Sequence, residues 1–116
     1  MTRGDVVLVR FPHPSGQRGR KRPAVVIQAD AYAGTLRTVV VAEVTINLTM
    51  TADPACLFID VTTPNGRATG QLVDSVVSGL VLDTVYTDTI AQVLGRLLPP
   101  LLLALDTCLK VGLGLT

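Results

Sequence analysis

The segment that most restricts the fold is Thr38–Ile46, TVVVAEVTI, an apolar run with β-branched residues throughout. β-Branched side chains lose rotamer freedom in a helix and pack well on a pleated surface, so the run reads as a strand. Its apolar positions are consecutive for part of its length, which predicts a central strand covered on both faces. The rest of the chain must supply partners for it. Asp5–Phe11 (DVVLVRF) is a second β-branched run and ends at the turn-forming Pro12-His-Pro-Ser-Gly16. A glycine-punctuated basic loop, Gly16–Arg22, follows, and Pro23 is read as opening the strand PAVVIQ, because proline is best tolerated at a strand's first position. Cys56–Val61, Leu72–Val77 and a short piece at Val85-Tyr86 predict further strands, with a turn at Thr63–Gly66.

Toward the end of the chain the pattern changes. Asp88 is a suitable N-cap for a helix with an apolar stripe at Ile90, Val93 and Leu94. Pro99 and Pro100 suit the first turn of a final helix, in which Leu101, Leu102, Leu105, Leu109 and Leu113 share a broad core-facing side, and Gly112 and Gly114 would end it. Five or more short strands followed by one or two helices predict a mainly β class: a small barrel or half-barrel with a C-terminal helix packed against it. With 116 residues and no visible linker or repeat, residues 1–116 are expected to form a single domain.

Composition removes several classes. Hydrophobic residues are 48% of the chain and charged residues 16%, which excludes intrinsic disorder. So much apolar surface in so short a chain leaves some outside the core and favours a homodimer. The lipid-like stretch Leu97–Leu115 is broken by Pro99, Pro100, Asp106 and Lys110, so no membrane partner is expected. Met1-Thr2-Arg3-Gly4-Asp5 leads straight into strand sequence with no signal-peptide pattern, and Cys56 and Cys108 read as buried thiols of a cytoplasmic protein. Their spacing offers no zinc site.

The net charge of +1 hides a separation. Residues 1–22 hold six basic groups (Arg3, Arg10, Arg18, Arg20, Lys21, Arg22) against Asp5 alone, while the remainder holds four basic and eight acidic groups. Charge divided in this way focuses positive potential on one face of a nearly neutral molecule.

Taken in order, RGDVVLVRF, the glycine-rich loop, KRPAVVIQAD, VAEVT and the closing LLLALDTCLKVGLGL resemble the MazF/PemK family, the toxin halves of bacterial toxin–antitoxin pairs. The resemblance implies an SH3-like (CcdB/PemK-like) barrel with appended helices, working as a homodimer and neutralised by a MazE-like antitoxin. It implies an endoribonuclease that cuts single-stranded mRNA at short sequences, with no metal or organic cofactor. By motif, Arg22 (before the proline) and Thr45 (ending the third strand's run) are the residues tied to cleavage. The chemistry agrees: a guanidinium is a planar fork of donors that stays charged at any working pH and fits two phosphate oxygens. Thr45 offers one hydroxyl.

The proton-handling groups are less marked. His13 is the chain's one histidine and reads as a surface loop residue. Glu43 precedes Thr45 by two residues, so alternation puts both on one strand face, where Glu43 is a candidate acid, base or orienting partner of Arg22. Arg18, Arg20 and Lys21 are expected to contact phosphates, and Asn47 and Ser75 to line the groove. The chain has four aromatic residues (Phe11, Tyr32, Phe58, Tyr86), so hydrogen bonding to base edges is expected in place of extensive stacking. Val77–Thr84 departs from the polar or basic pattern of many relatives, so their RNA specificity does not transfer. The rival reading is a CcdB-like toxin that inhibits gyrase by binding, but those relatives end in a Trp-containing tail and this chain has no Trp. A third is an inactivated relative that retains only antitoxin binding.

Overall fold

Alternating burial along paired strands organises the molecule. The structure, a computed structural model, describes residues 1–11, 15 and 19–115. Six strands form one antiparallel sheet: β1 (Asp5–Arg10), β2 (Lys21–Val26), β3 (Thr38–Thr45), β4 (Cys56–Ile59), β5 (Ser75–Tyr86) and β6 (Ile90–Arg96). Their spatial order is β4-β5-β3-β2-β1-β6. The predicted central run is indeed interior, with Val41 and Ala42 both fully buried although they face opposite sides.

A core lies on each face of the sheet. Val6, Val25, Ala42, Val44, Ile59 and Val77 meet the C-terminal helix α2 (Pro99–Leu113) through Leu105, Cys108 and Leu109. The opposite face gathers Val7, Val9, Phe11, Ala24, Val41 and Val85 around the partly buried Ile90. The mainly β class with a closing helix is as expected, but the sheet remains open, with β4 and β6 at its edges. Between β4 and β5, a short helical turn α1 (Pro64–Arg67) is capped by the Thr63 hydroxyl, where the sequence predicts a simple turn. This connection reaches across to the other edge, where the Arg96 N–H donates to Ala68 O at 2.9 Å. A backbone strut thus joins the two sides without closing the ladder.

Three expectations are corrected. Residues 88–94 are not a helix: Asp88 lies in a short 3-10 turn and Ile90–Arg96 pair with β1. The stripe at Ile90, Val93 and Leu94 fits a helical period, yet β1 has a free edge there, and pairing it satisfies backbone groups a helix would leave open. The predicted strands at 72–77 and 85–86 are parts of one twelve-residue strand beginning at Ser75, with Leu72 outside it and 94% exposed. That strand is long because residues 78–81 bulge between the pairs Val44↔Val77 and Ala42↔Leu82. Pro23 is the third residue of β2 rather than its first. It pairs only with Leu8 of β1, and pairing to β3 begins at Ala24, so its missing N–H interrupts no ladder on that side.

The predicted helix α2 forms. Pro99 and Pro100 occupy its first turn, whose N–H groups lack helical acceptors in any case. Gly114, at φ +72°, ends it, with its N–H on Val111 O and that of Leu115 on Lys110 O. Leu113 is exposed and stands apart from the core stripe. Gly112 lies against Gly79 of β5, where a Cβ would come within 2.5 Å of the Gly79 carbonyl oxygen, so the helix approaches the sheet backbone closely. The Arg3 guanidinium adds a tie to Asp106 at 2.7 Å and donates to Ile27 O at 2.9 Å. Cys56 and Cys108 are free and buried, and burial pushes the Cys108 thiol up. Among the described residues, no helix is long and apolar enough to cross a membrane.

Leu105 is fully buried between helix and sheet whereas Leu103, on the same helix, is 68% exposed. Leu105→Ala is therefore expected to lower unfolding free energy by about 2–5 kcal/mol, and Leu103→Ala by less than about 0.5 kcal/mol. Urea denaturation of the two variants checks the assignment of the helix face.

Candidate functional site

Two registers assemble the site. Arg22 lies opposite Val9 in the β1–β2 pair, and Ala24 lies opposite Glu43 in the β2–β3 pair. Directly opposed residues of an antiparallel pair share a face, and so do residues two apart along a strand. Arg22, Glu43 and Thr45 are thereby brought to one face near the end of the sheet. The Arg22 Nη1 stands 3.6 Å from Glu43 Oε1, and its guanidinium carbon lies 4.8 Å above the centre of the Phe11 ring. Its side chain is still 54% exposed. A half-exposed ion pair contributes only about 0–1 kcal/mol, so these contacts matter more for direction than for stability. Phe11 fixes one side of the guanidinium, Glu43 holds another, and the remaining donors face solvent.

That open side is a cleft of about 500 Å³ lined by Arg20, Lys21, Arg22, Thr45, Ile46 and Gln71, with Phe11 at its wall. Three adjacent cations meet one threonine hydroxyl there. The Thr45 Oγ1 accepts the Asn47 N–H at 3.0 Å, which orients the hydroxyl and leaves its O–H to be donated. The charge of the first 22 residues is not all committed to this cleft. Arg3 is held by Asp106, and Arg10 donates to Gly19 O at 2.9 Å. Among the described residues, Arg20, Lys21 and Arg22 bring their positive charge to the cleft.

Of the other sequence candidates, Asn47 acts beside the cleft: its Oδ1 accepts the Thr49 N–H and hydroxyl. Ser75 is fully buried, its hydroxyl donating to Val73 O at 2.8 Å, so it forms no part of the groove. It faces inward because it opposes Ile59 of β4, a core residue. Arg18 and His13 lie outside the described residues. Tyr32 and Tyr86 are exposed away from the cleft, whose lining contains neither.

Sequence reasoning missed Asp83. It opposes Val41 across the β3–β5 pair and so occupies the face that carries Glu43. Glu43 is raised from 4.5 to about 7, first by a side-chain hydrogen bond with Asp83, then by burial and by the Asp83 charge, with Arg22 opposing. No motif marks Asp83, because the bulge at 78–81 breaks the register that would have connected it to Glu43. Gln71 and Ile46 were also missed, since their place at the cleft depends on loops leaving β3 and entering β5.

An antiparallel sheet, a helix closing one face and a cationic cleft at the strand ends define a small β-sheet protein. The model of the PemK-like, MazF-like toxins of type II toxin–antitoxin systems matches residues 2–113, and the chain belongs to that family. No curated protein matches the sequence. Among solved structures, an endoribonuclease in complex with its cognate antitoxin from a mycobacterial species is similar over 100% of this chain and 97% of its own, with 19% identity and a TM-score of 0.77. The MazE–MazF complex (Form-III) of Deinococcus radiodurans is similar over 100% of this chain and 98% of its own, also at 19% identity and TM-score 0.77. Mycobacterium tuberculosis toxin MazF-mt6 gives 18% identity and a TM-score of 0.74, over 95% and 98% of the two chains. At these identities the likeness is one of fold.

Proposed function

We propose that the protein is an endoribonuclease toxin that cleaves single-stranded mRNA at the Arg22–Thr45 cleft, without a metal. The observation that carries this reading is an exposed guanidinium, braced by Phe11 and Glu43, facing a threonine hydroxyl across an open cationic groove. The cleavage is attack of a ribose 2′-OH on the adjacent phosphorus, which yields a 2′,3′-cyclic phosphate and a 5′-OH. Charge builds on the nonbridging oxygens as the fifth bond forms. Arg22 supplies fixed donors for that charge, and Thr45 donates its O–H to the same phosphate or orients the 2′-OH. Glu43 titrates at about 7, where a carboxyl can act as acid or base at the working pH. Arg20 and Lys21 hold flanking phosphates and set the register of the strand on the protein. The family assignment and the mycobacterial endoribonuclease that shares the fold support the reading.

The same cleft accounts for neutralisation by a MazE-like antitoxin. An acidic, disordered segment laid over Arg20–Arg22 would satisfy their charge and exclude RNA. The neighbour solved with its cognate antitoxin supports this partner class. Action on mRNA fits a cytoplasmic protein. A gyrase-binding toxin of the CcdB kind is not favoured, because the family that matches is the PemK/MazF one.

A homodimer belongs to the same reading. Ile46, Leu48 and Met50 after β3 are exposed, as are Leu72 and Val73 before β5, and the pair Thr45↔Val76 brings the two loops to one end of the sheet. Apolar side chains gathered there match an interface better than a solvated surface.

Two outcomes are expected. Purified protein cuts mixed-sequence RNA in excess EDTA, and Arg22→Ala lowers the rate by about 10²–10³-fold with the fold intact, the effect of removing one fixed donor. Cleavage that requires Mg²⁺ or survives Arg22→Ala contradicts the mechanism. Light scattering behind a sizing column gives a mass near twice 12.2 kDa, and a monomer at micromolar concentration contradicts the dimer.

A further inference from the structure

On the sheet face that carries Glu43, β5 places a group with no counterpart in the motif. Among the described residues, Asp83 Oδ2 is the one buried side-chain oxygen or nitrogen that lacks a hydrogen-bond donor. Buried polar atoms without partners cost about 1–3 kcal/mol, more when charged, so such an oxygen calls for an explanation. Its neighbour on the same sheet face is Glu43, which brings a second carboxyl and no N–H. Two ionised carboxylates offer only acceptors. Adding a single proton gives an O–H donor between them and satisfies Asp83 Oδ2.

We propose that Asp83 is a positioning residue for RNA cleavage: it shares one proton with Glu43 and holds that proton on Glu43, beneath Arg22, for delivery to the leaving oxygen. The inference rests on the ribonuclease reading above and adds the group that moves the proton. Among the described residues, the charged groups facing Glu43 are Arg22 from β2 and Asp83 from β5, while β1 presents Val7 and Val9 to that face. The two act in opposite directions. Arg22 favours the ionised form of Glu43, and Asp83 outweighs it through its hydrogen bond and charge. Burial adds to the effect of Asp83, since Glu43 is 23% exposed. The result is a carboxyl about half protonated near neutrality, beside a guanidinium aimed at the phosphate.

In the step itself, the 2′-oxygen lone pair forms the O2′–P bond and the P–O5′ bond breaks with its electron pair on O5′. The Glu43 carboxyl gives its proton to O5′, and the 2′-OH proton passes to water. The Glu43 carboxylate that remains is reprotonated from solvent and closes again on Asp83. In this step Glu43 reaches the leaving oxygen from beside Arg22, 3.6 Å away, and Asp83 acts through Glu43.

The sign of the pH effect follows. Glu43 is needed in its protonated form, so the rate falls as pH rises through its titration. Asp83→Asn replaces the carboxylate that accepts the Glu43 proton with an amide that can donate to ionised Glu43, and it removes the Asp83 charge as well, so Arg22 is left to lower Glu43 and the alkaline limb moves to lower pH. Relative to wild type, Asp83→Asn should then lose about tenfold in kcat/KM at pH 7.5 if the limb moves down by about one pH unit, and little at pH 5.5. A variant that only perturbed the fold would lose the same factor at both. Glu43 carboxyl titration by ¹³C NMR gives a readout independent of RNA: a midpoint near 7 in wild type, lower by at least about one pH unit in Asp83→Asn. A wild-type midpoint in the ordinary carboxyl range overturns the shared proton even if the variant fails to fold. Cleavage that depends on Arg22 but keeps its pH profile in Asp83→Asn overturns this inference alone. Wild-type protein that cleaves no RNA overturns both it and the reading on which it rests.

Discussion

Pairing of β2 with β3 is the constraint on which the site depends. It runs over only three residue pairs, Ala24↔Glu43, Val25↔Ala42 and Val26↔Val41. In that register Ala24 and Glu43 share a face, and Arg22, two residues before Ala24, reaches the carboxylate. Slipping the register by one residue would send Arg22 to the helix side of the sheet and Glu43 to the opposite side. Val25 and Ala42 meet α2 through the core on one face, and Ala24, Val26 and Val41 fill the core on the other. Burial on both sides therefore holds the register, and the chemistry is carried by the two strand segments that project past it.

The sheet's interior is apolar where its faces are covered and charged where they emerge. Pro23 marks the boundary. Before it, Lys21 and Arg22 pair with β1 alone, and both line the cleft. After it, β2 is flanked on both sides and becomes Ala-Val-Val. The proline, which can donate no N–H, stands where β3 has not yet begun to pair. A guanidinium at that junction is rigid at its base and wet at its tip, which suits the phosphate-binding role proposed for Arg22.

Much of this arrangement was legible in the chain. The β-branched runs gave β1, β2 and β3 nearly to their ends, because a strand buried on both faces leaves little room for another pattern. Alternation alone placed Glu43 beside Thr45, and the double proline located the start of α2. Residues 88–94 were misread since their apolar spacing satisfies a helix equally well, and a sequence does not display the free edge of β1 that captures them. Asp83 was invisible for a related reason: its relation to Glu43 passes through the bulge at 78–81, and a bulge is a property of two strands together. Ser75, polar and near a strand end, is buried because Ile59 lies opposite it.

In the proposed reaction Arg22 stabilises attack of the RNA's own 2′-OH. The direct measurement is mass spectrometry of the cleaved ends, with a matched substrate carrying one 2′-deoxy group at the scissile position. The all-ribose strand should give a 2′,3′-cyclic phosphate and a 5′-OH, and the deoxy strand should not be cleaved. A 5′-phosphate product, or normal cutting of the deoxy strand, would contradict that reaction.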